Sequence, residues 1–216
     1  MPPVVVIDFD GTLTEIDVGD AICDRFAPPS WRGIDERWLR HEIPLPDAQR
    51  QMWALVGAGP DEIRAFADSV GRLRAGAAEL LEEAAQGRLE VVLASGGFDL
   101  YIDRILGPWI ARGALPLRFA NRLVWKHGRT VATFPHPDLS CATCAVCKGE
   151  VVRRQRRPGR QVVFVGDGAS DSCAAPVADR VFTVKGGLFE QTCRERAIPH
   201  TAIVDLREVL AILDGS

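Results

Sequence analysis

Five short runs of aliphatic, mostly β-branched residues recur along the chain, and each stops abruptly on polar or glycine residues. They occupy residues 4–7, 91–94, 162–165, 181–184 and 202–204, and are followed by Asp8, Ser95-Gly96-Gly97, Gly166-Asp167, Lys185-Gly186 and Asp205. A run that is apolar at every position, not at alternate ones, suits a strand covered on both faces, as in a parallel sheet. Helical periodicity fills several of the intervals, at residues 77–86, 100–111, 149–157 and 206–213. The alternation predicts a doubly wound α/β fold, whose ligand site lies at the carboxyl ends of the strands, where the polar clusters fall.

Residues 15–74 break this alternation. They read as helical throughout, with patterns at 34–41, 46–56 and 60–73 separated by proline and glycine. The expected division is an α/β core of residues 1–14 and 75–216, with a small helical cap of residues 15–74 inserted after the first strand. Two strand-like runs around Lys126-His127-Gly128-Arg129 predict a hairpin between residues 117 and 134.

With 216 residues, 47% of them hydrophobic, the chain is long enough for such a core and its insert. A net charge of -3 gives no general attraction for nucleic acid or an anionic membrane, so an anionic ligand needs a local positive site. The arginine-rich stretch 153–160 reads as a solvated helix end. No apolar stretch nears the roughly 20 residues that span a bilayer, and the first apolar run lacks a basic leader. These features point to a cytoplasmic protein whose six cysteines are thiols or metal ligands, not disulfides.

The phrase Asp8-Phe9-Asp10-Gly11-Thr12 follows the first run directly. The two carboxylates are separated by a single residue, and a turn at Gly11 lets Asp8 and the Asp10 backbone reach one centre. One carboxylate can then attack phosphorus while the other, in a different environment, moves protons. A polar turn is the simpler alternative. In Gly166-Asp167-Gly168-Ala169-Ser170-Asp171, Asp167 offers a hard oxygen to magnesium, and Asp171 either supports the ion or caps a helix. Ser95 and the bare N–H groups of Gly96 and Gly97 form a natural phosphate cradle. Lys148 opens a helical stretch, where the helix dipole disfavours a cation unless it neutralises a bound anion.

In this order and spacing, with the helical insert after the first motif, the motifs resemble the haloacid dehalogenase (HAD) superfamily of phosphohydrolases over essentially the whole chain. The resemblance implies a HAD-like, Rossmann-type core and a Mg2+-dependent phosphomonoesterase working through an aspartyl-phosphate. It implies Asp8 as nucleophile and Asp10 as general acid, then base. Asp8, the Asp10 carbonyl and Asp167 would hold Mg2+ with Asp171 in support, while Ser95, Gly96 and Lys148 would hold phosphate.

Phe119-Ala120-Asn121-Arg122-Leu123 resembles the hairpin phrase of the phosphoserine-phosphatase-related branch. Ser95-Gly96-Gly97-Phe98-Asp99-Leu100-Tyr101, Pro135-His136-Pro137 and Cys147-Lys148-Gly149 resemble the methionine-salvage phosphatases. Those act on 2-hydroxy-3-keto-5-methylthiopentenyl 1-phosphate. The cysteine-then-lysine phrase also resembles the phosphoethanolamine and phosphocholine phosphatases. A phosphoserine phosphatase is expected to grip its amino acid with a hinge glutamate and a cap arginine; here Glu15 lies close to the turn, Asp17 and Asp20 follow, and several arginines of residues 15–74 could serve. Trp31, Trp38, Met52 and Trp53 suit either a thioether substrate or the cap's own packing, and an apolar cap face suits a homodimer equally.

Cys141-x-x-Cys144-x-x-Cys147, with His136 upstream, admits three readings. It can supply ligands for structural zinc, place a redox-active thiol beside Lys148, or pack small thiols beneath the site. A non-catalytic zinc- or redox-dependent interaction module is the reading of another class.

Overall fold

The first apolar run forms β1 (Val4–Ile7), every residue of which is fully buried. In the computed structural model, which describes residues 2–214, six further strands join it: β2 (Glu90–Phe98), β3 (Leu117–Lys126), β4 (Arg129–Thr133), β5 (Val162–Gly166), β6 (Arg180–Val184) and β7 (Thr201–Ile203). They form one sheet in the order β4-β3-β2-β1-β5-β6-β7, parallel except for β4. Successive side chains alternate between its faces. Val5 and Ile7 enter one apolar cluster with Val91, Leu93, Val163 and Val165, while Val4 and Val6 enter a second with Val92, Val162 and Phe164. Each such fully buried aliphatic side chain contributes about 1.5–3 kcal/mol. Both faces are therefore covered, which is why these runs are apolar at every position.

Helices supply the covers. The insert contains α1 (Val18–Phe26), α2 (Trp31–Leu39), α3 (Leu45–Trp53) and α4 (Pro60–Val70), and the rest of the chain α5 (Ala77–Ala85), α6 (Asp99–Ala111), α7 (Lys148–Gln155), α8 (Leu188–Glu195) and α9 (Arg207–Asp214). Residues of α5, α6 and α9 join the first cluster, and those of α7 and α8 the second. Sequence periodicity does not reveal α8. It is short, and tertiary contacts anchor its start: Phe189 N donates to Asp167 O at 2.8 Å, and Gly186 N to the Glu190 carboxylate at 2.6 Å. The expected hairpin is β3–β4. Its tip holds His127 and Gly128 at φ 50° and 75°, the left-handed pair that a two-residue turn requires.

The insert leaves and re-enters the core along one path. Thr14 and Leu73 form an antiparallel bridge, Glu15 N donates to Arg72 O at 3.0 Å, and Arg74 N to Leu13 O at 2.8 Å. The Arg74 guanidinium then donates to the carbonyls of Gly11 at 2.7 Å and Thr12 at 2.9 Å. Aromatic contacts seat α3 on the core, with Trp53 4.7 Å from Phe98 and stacked on Tyr101 at 6.2 Å. Among the described residues no helix is long and apolar enough to cross a membrane.

Candidate active site

Register decides which side chains meet. Ile7 lies opposite Leu93 on one side and Val165 on the other, so Asp8 leaves the sheet level with Ala94 of β2 and Gly166 at the end of β5. Asp8 follows Ile7, its Oδ1 accepting from Phe9 N at 2.7 Å. The chain then turns at Gly11, whose φ is 70°, and a Cβ there would strike the Asp167 carboxylate. Thr12 donates its hydroxyl to Asp167 Oδ1 at 2.6 Å, locking the two motifs together. Asp171 Oδ2 accepts from Asp167 N and Gly168 N, both at 2.9 Å, so this carboxylate does cap the turn that follows β5. Its Oδ1 faces the Lys148 ammonium at 2.5 Å.

Lys148 ties the constellation together. Only 1% exposed, its Nζ reaches Asp8 Oδ2 at 2.7 Å and Ser170 Oγ at 2.6 Å. Burial works against its charge, but Asp171 and Asp8 outweigh burial and hold its pKa above the ordinary lysine value. Burial also pushes up Asp8, against the pull of Lys148, and raises Asp167 to about 7 with help from Asp171. Oxygens of Asp8, Asp167 and Asp171 lie within 4.8 Å of one another. Three hard oxygen donors converge, two of them paired with one lysine, beside a glycine that leaves room only because it lacks a Cβ. That donor set fits a divalent cation such as Mg2+.

Asp10 occupies a separate environment. Its Oδ1 accepts from Val18 N at 3.0 Å and Gly19 N at 3.3 Å, and its Oδ2 from the Tyr101 hydroxyl at 2.9 Å. Burial raises its pKa well above the carboxylate range, with Asp17 and Asp8 adding repulsion. The side chain thus faces the start of α1 and not the three-carboxylate group. Neither Tyr101's role nor this hold on Asp10 is visible in the sequence, because the two residues are far apart in the chain.

Ser95 is fully buried, and its Oγ accepts from Gly97 N at 2.9 Å. Gly96 O accepts from Gln49 Nε2 at 2.5 Å and Asn121 Nδ2 at 2.7 Å. From these groups a cavity of about 440 Å³ extends between the strand ends and the inserted helices. Its far wall carries Asp17, Asp20, Asp35, Trp38, Met52 and Trp53. Enclosure and the nearby Asp17, Asp35 and Asp24 carboxylates raise the Asp20 pKa. Among the described lining residues Lys148 is the only base, so no arginine offers a grip for a substrate carboxylate.

The cysteine–histidine zinc set is not assembled. The His136 ring meets Phe119 edge-on at 5.4 Å, and the exposed Cys141 has its sulfur 3.4 Å from Thr143 Oγ1. Cys144 and Cys147 are buried and hydrogen-bond with Cys173, a residue outside the sequence motif. All six cysteines are free thiols. Among the described residues only the Asp8, Asp167 and Asp171 group converges closely enough for an ion. The zinc reading is therefore not supported; Cys144 and Cys147 are buried, and Cys173 accepts from Gly149 N at 3.4 Å near the start of α7.

A family model described as haloacid dehalogenase-like hydrolase matches residues 5–176. The chain is 30% identical over 214 residues to a 2-hydroxy-3-keto-5-methylthiopentenyl-1-phosphate phosphatase of Exiguobacterium sp., covering 98% of this chain and 97% of that one. It is 27% identical to the protein of that name from Brevibacillus brevis, covering 97% and 94%. Among solved structures, a phosphoserine phosphatase bearing a phospho-aspartyl intermediate analogue superposes with a TM-score of 0.74 at 23% identity, covering 98% of each chain. That likeness concerns the fold.

Proposed function

The chain belongs to the haloacid dehalogenase-like hydrolases and is a phosphatase of that family, and from this premise we propose a Mg2+-dependent phosphomonoesterase that works through an aspartyl-phosphate on Asp8. The observation that carries the proposal is the contrast between two neighbouring carboxylates. Asp8 pairs with Lys148 at 2.7 Å, whereas Asp10 is held apart by Tyr101 and the first amides of α1. Such a difference suits one carboxylate to attack and the other to carry a proton.

In the first step an Asp8 oxygen bonds to phosphorus as the ester P–O bond breaks, and Asp10 gives its proton to the departing oxygen. In the second, Asp10 takes a proton from water as that water bonds to phosphorus. The Asp8–phosphorus bond breaks, releasing inorganic phosphate. Lys148 and the Ser95–Gly96 cradle hold the phosphate oxygens throughout. Asp8, the Asp10 carbonyl and Asp167 would hold Mg2+, with Asp171 in support, and the ion would supply positive charge against the transferring group. Residues 15–74 act as the cap that closes the cavity over the leaving group.

For the substrate, the names of the relatives and the wall of Trp38, Met52 and Trp53 favour a small thioether-bearing phosphate, the 2-hydroxy-3-keto-5-methylthiopentenyl 1-phosphate of methionine salvage. The lack of an arginine in the described lining speaks against phosphoserine. A second reading rests on Asp17, Asp20 and Asp35: three carboxylates suit an ammonium group, as in phosphoethanolamine or phosphocholine. Phosphate release from these four compounds, with Mg2+ and with chelator, tests both. Asp8→Asn is expected to reduce turnover by at least about a thousandfold with the fold intact, as loss of a nucleophile does. Retained turnover would sink the Asp8 assignment.

A further inference from the structure

The peptide joining Gly96 to Gly97 is clamped at both ends. Its carbonyl accepts from Gln49 Nε2 at 2.5 Å and Asn121 Nδ2 at 2.7 Å, while its N–H donates to Ser95 Oγ at 2.9 Å. Asn121 is fully buried and Gln49 is 7% exposed, so water does not readily replace either donor. A peptide is rigid, so fixing its carbonyl also fixes the N–H that orients Ser95. With Oγ already accepting from Gly97, the serine's own proton is available to a phosphate oxygen.

The two donors have different origins. Asn121 belongs to β3 of the sheet, whereas Gln49 belongs to α3 of the insert. The start of α3 is moored on the core by Leu45 N donating to Thr143 O at 3.0 Å, and its end by Trp53 against Phe98. Gln49 reaches Gly96 only while α3 rests on this loop.

We propose that Gln49 is a positioning residue that completes the Ser95–Gly97 phosphate cradle when the inserted helices seat on the core, so that phosphate affinity reports cap closure. This inference rests on the reading of Ser95–Gly97 as a phosphate cradle, and through it on the proposed phosphatase. It separates Gln49 from the other cavity-lining residues of α3: Gln49 acts on the part common to every phosphomonoester, not on the leaving group.

The test follows inorganic phosphate binding by phosphorus NMR titration, alongside kcat/KM for three phosphomonoesters with unlike leaving groups. Gln49→Leu removes the donor and keeps the bulk. It is expected to weaken phosphate binding about five- to tenfold, the range of one net hydrogen bond, and to lower kcat/KM by the same factor for all three esters. Gln49→Glu places an ionised carboxylate against the Gly96 carbonyl, and protonation restores a donor. Its activity and phosphate affinity relative to wild type should therefore recover as pH falls from 8 towards 5. Unchanged phosphate affinity in Gln49→Leu, with losses that vary among the esters, would overturn the proposal and make Gln49 a leaving-group contact. A flat pH ratio for Gln49→Glu would also overturn it. Wild-type protein that binds phosphate but hydrolyses nothing would remove the phosphatase reading alone.

Discussion

Replacing Lys148 with methionine would keep the aliphatic stem in place and delete the charge that serves both Asp8 and Asp171. Lys148 is 1% exposed and its two carboxylate partners are 6% and 0% exposed, so water cannot substitute for the ammonium. Removing one partner of a buried ion pair costs about 3–5 kcal/mol, and a lysine shared by two carboxylates belongs at the upper end. At about 2–4 °C per kcal/mol for a chain of this size, Tm should fall by about 10–20 °C in chelator. Two further measurements isolate the electrostatic cause. Mg2+ bound at Asp8 and Asp167 would replace part of the missing charge, so it should raise Tm more in the variant than in the wild type. The pH dependence has a definite sign. Burial already raises Asp8 against the pull of Lys148, and deleting Lys148 raises it further. Unfolded aspartate titrates near about 3.9, so above that pH the folded variant binds more protons than the unfolded chain, and stability falls as pH rises. The Tm deficit should therefore shrink between pH 7 and pH 5. A deficit equal at both pH values and indifferent to Mg2+ would mean that Lys148 acts by packing, and the charge argument would fail.

Other perturbations test neighbouring parts of the site. Tyr101→Phe removes the 2.9 Å hydrogen bond that lowers the pKa of Asp10. The Asp10 limb of the pH–rate profile should move to higher pH and kcat/KM should fall about tenfold or more, as for a bond to a charged group; an unmoved limb would remove Asp10 as the titrating group. Gly11→Ala strains a φ of 70° and drives a Cβ into the Asp167 carboxylate, so the Mg2+ needed for half-maximal activity should rise. An unchanged Mg2+ requirement would mean that Asp167 does not hold the ion. Elemental analysis of protein purified without chelator should find zinc far below one equivalent; a full equivalent would reverse the conclusion drawn from His136 and Cys141.

The strands and the acidic motifs were legible because each is encoded within a few adjacent residues. A strand buried on both faces must be apolar throughout, and its end must be polar if it opens into a site, so residues 4–7 and Asp8 reveal one another. What escaped are the partners that only tertiary structure supplies. Tyr101 lies 91 residues from Asp10, and Gln49 lies 72 from Asn121. Cys173 shows why a local motif can mislead: the Cys-x-x-Cys spacing suggested ligands within residues 136–147, but Cys144 and Cys147 found their third thiol beyond β5. Asp35 carries no local signal for a related reason, since a single acidic residue on α2 resembles any solvated helix position and only the fold sets it beside the cavity.

The antiparallel contact between residues 13–15 and 72–74 bears on how such a chain diversifies. The excursion from Thr14 to Arg74 begins and ends within one hydrogen bond, since Arg74 N meets Leu13 O at 2.8 Å. Loop-closure entropy changes only by about 0.6 kcal/mol for each doubling of loop length, so the core is nearly indifferent to how much chain lies between those points. Helices can be lengthened or remodelled there without shifting the strands, provided the first turn of α1 and Gln49 of α3 stay in place. Inheritance can thus act on the outer part of the excursion as a detachable cassette, while Val18, Gly19 and Gln49 keep their bonds to Asp10 and Gly96.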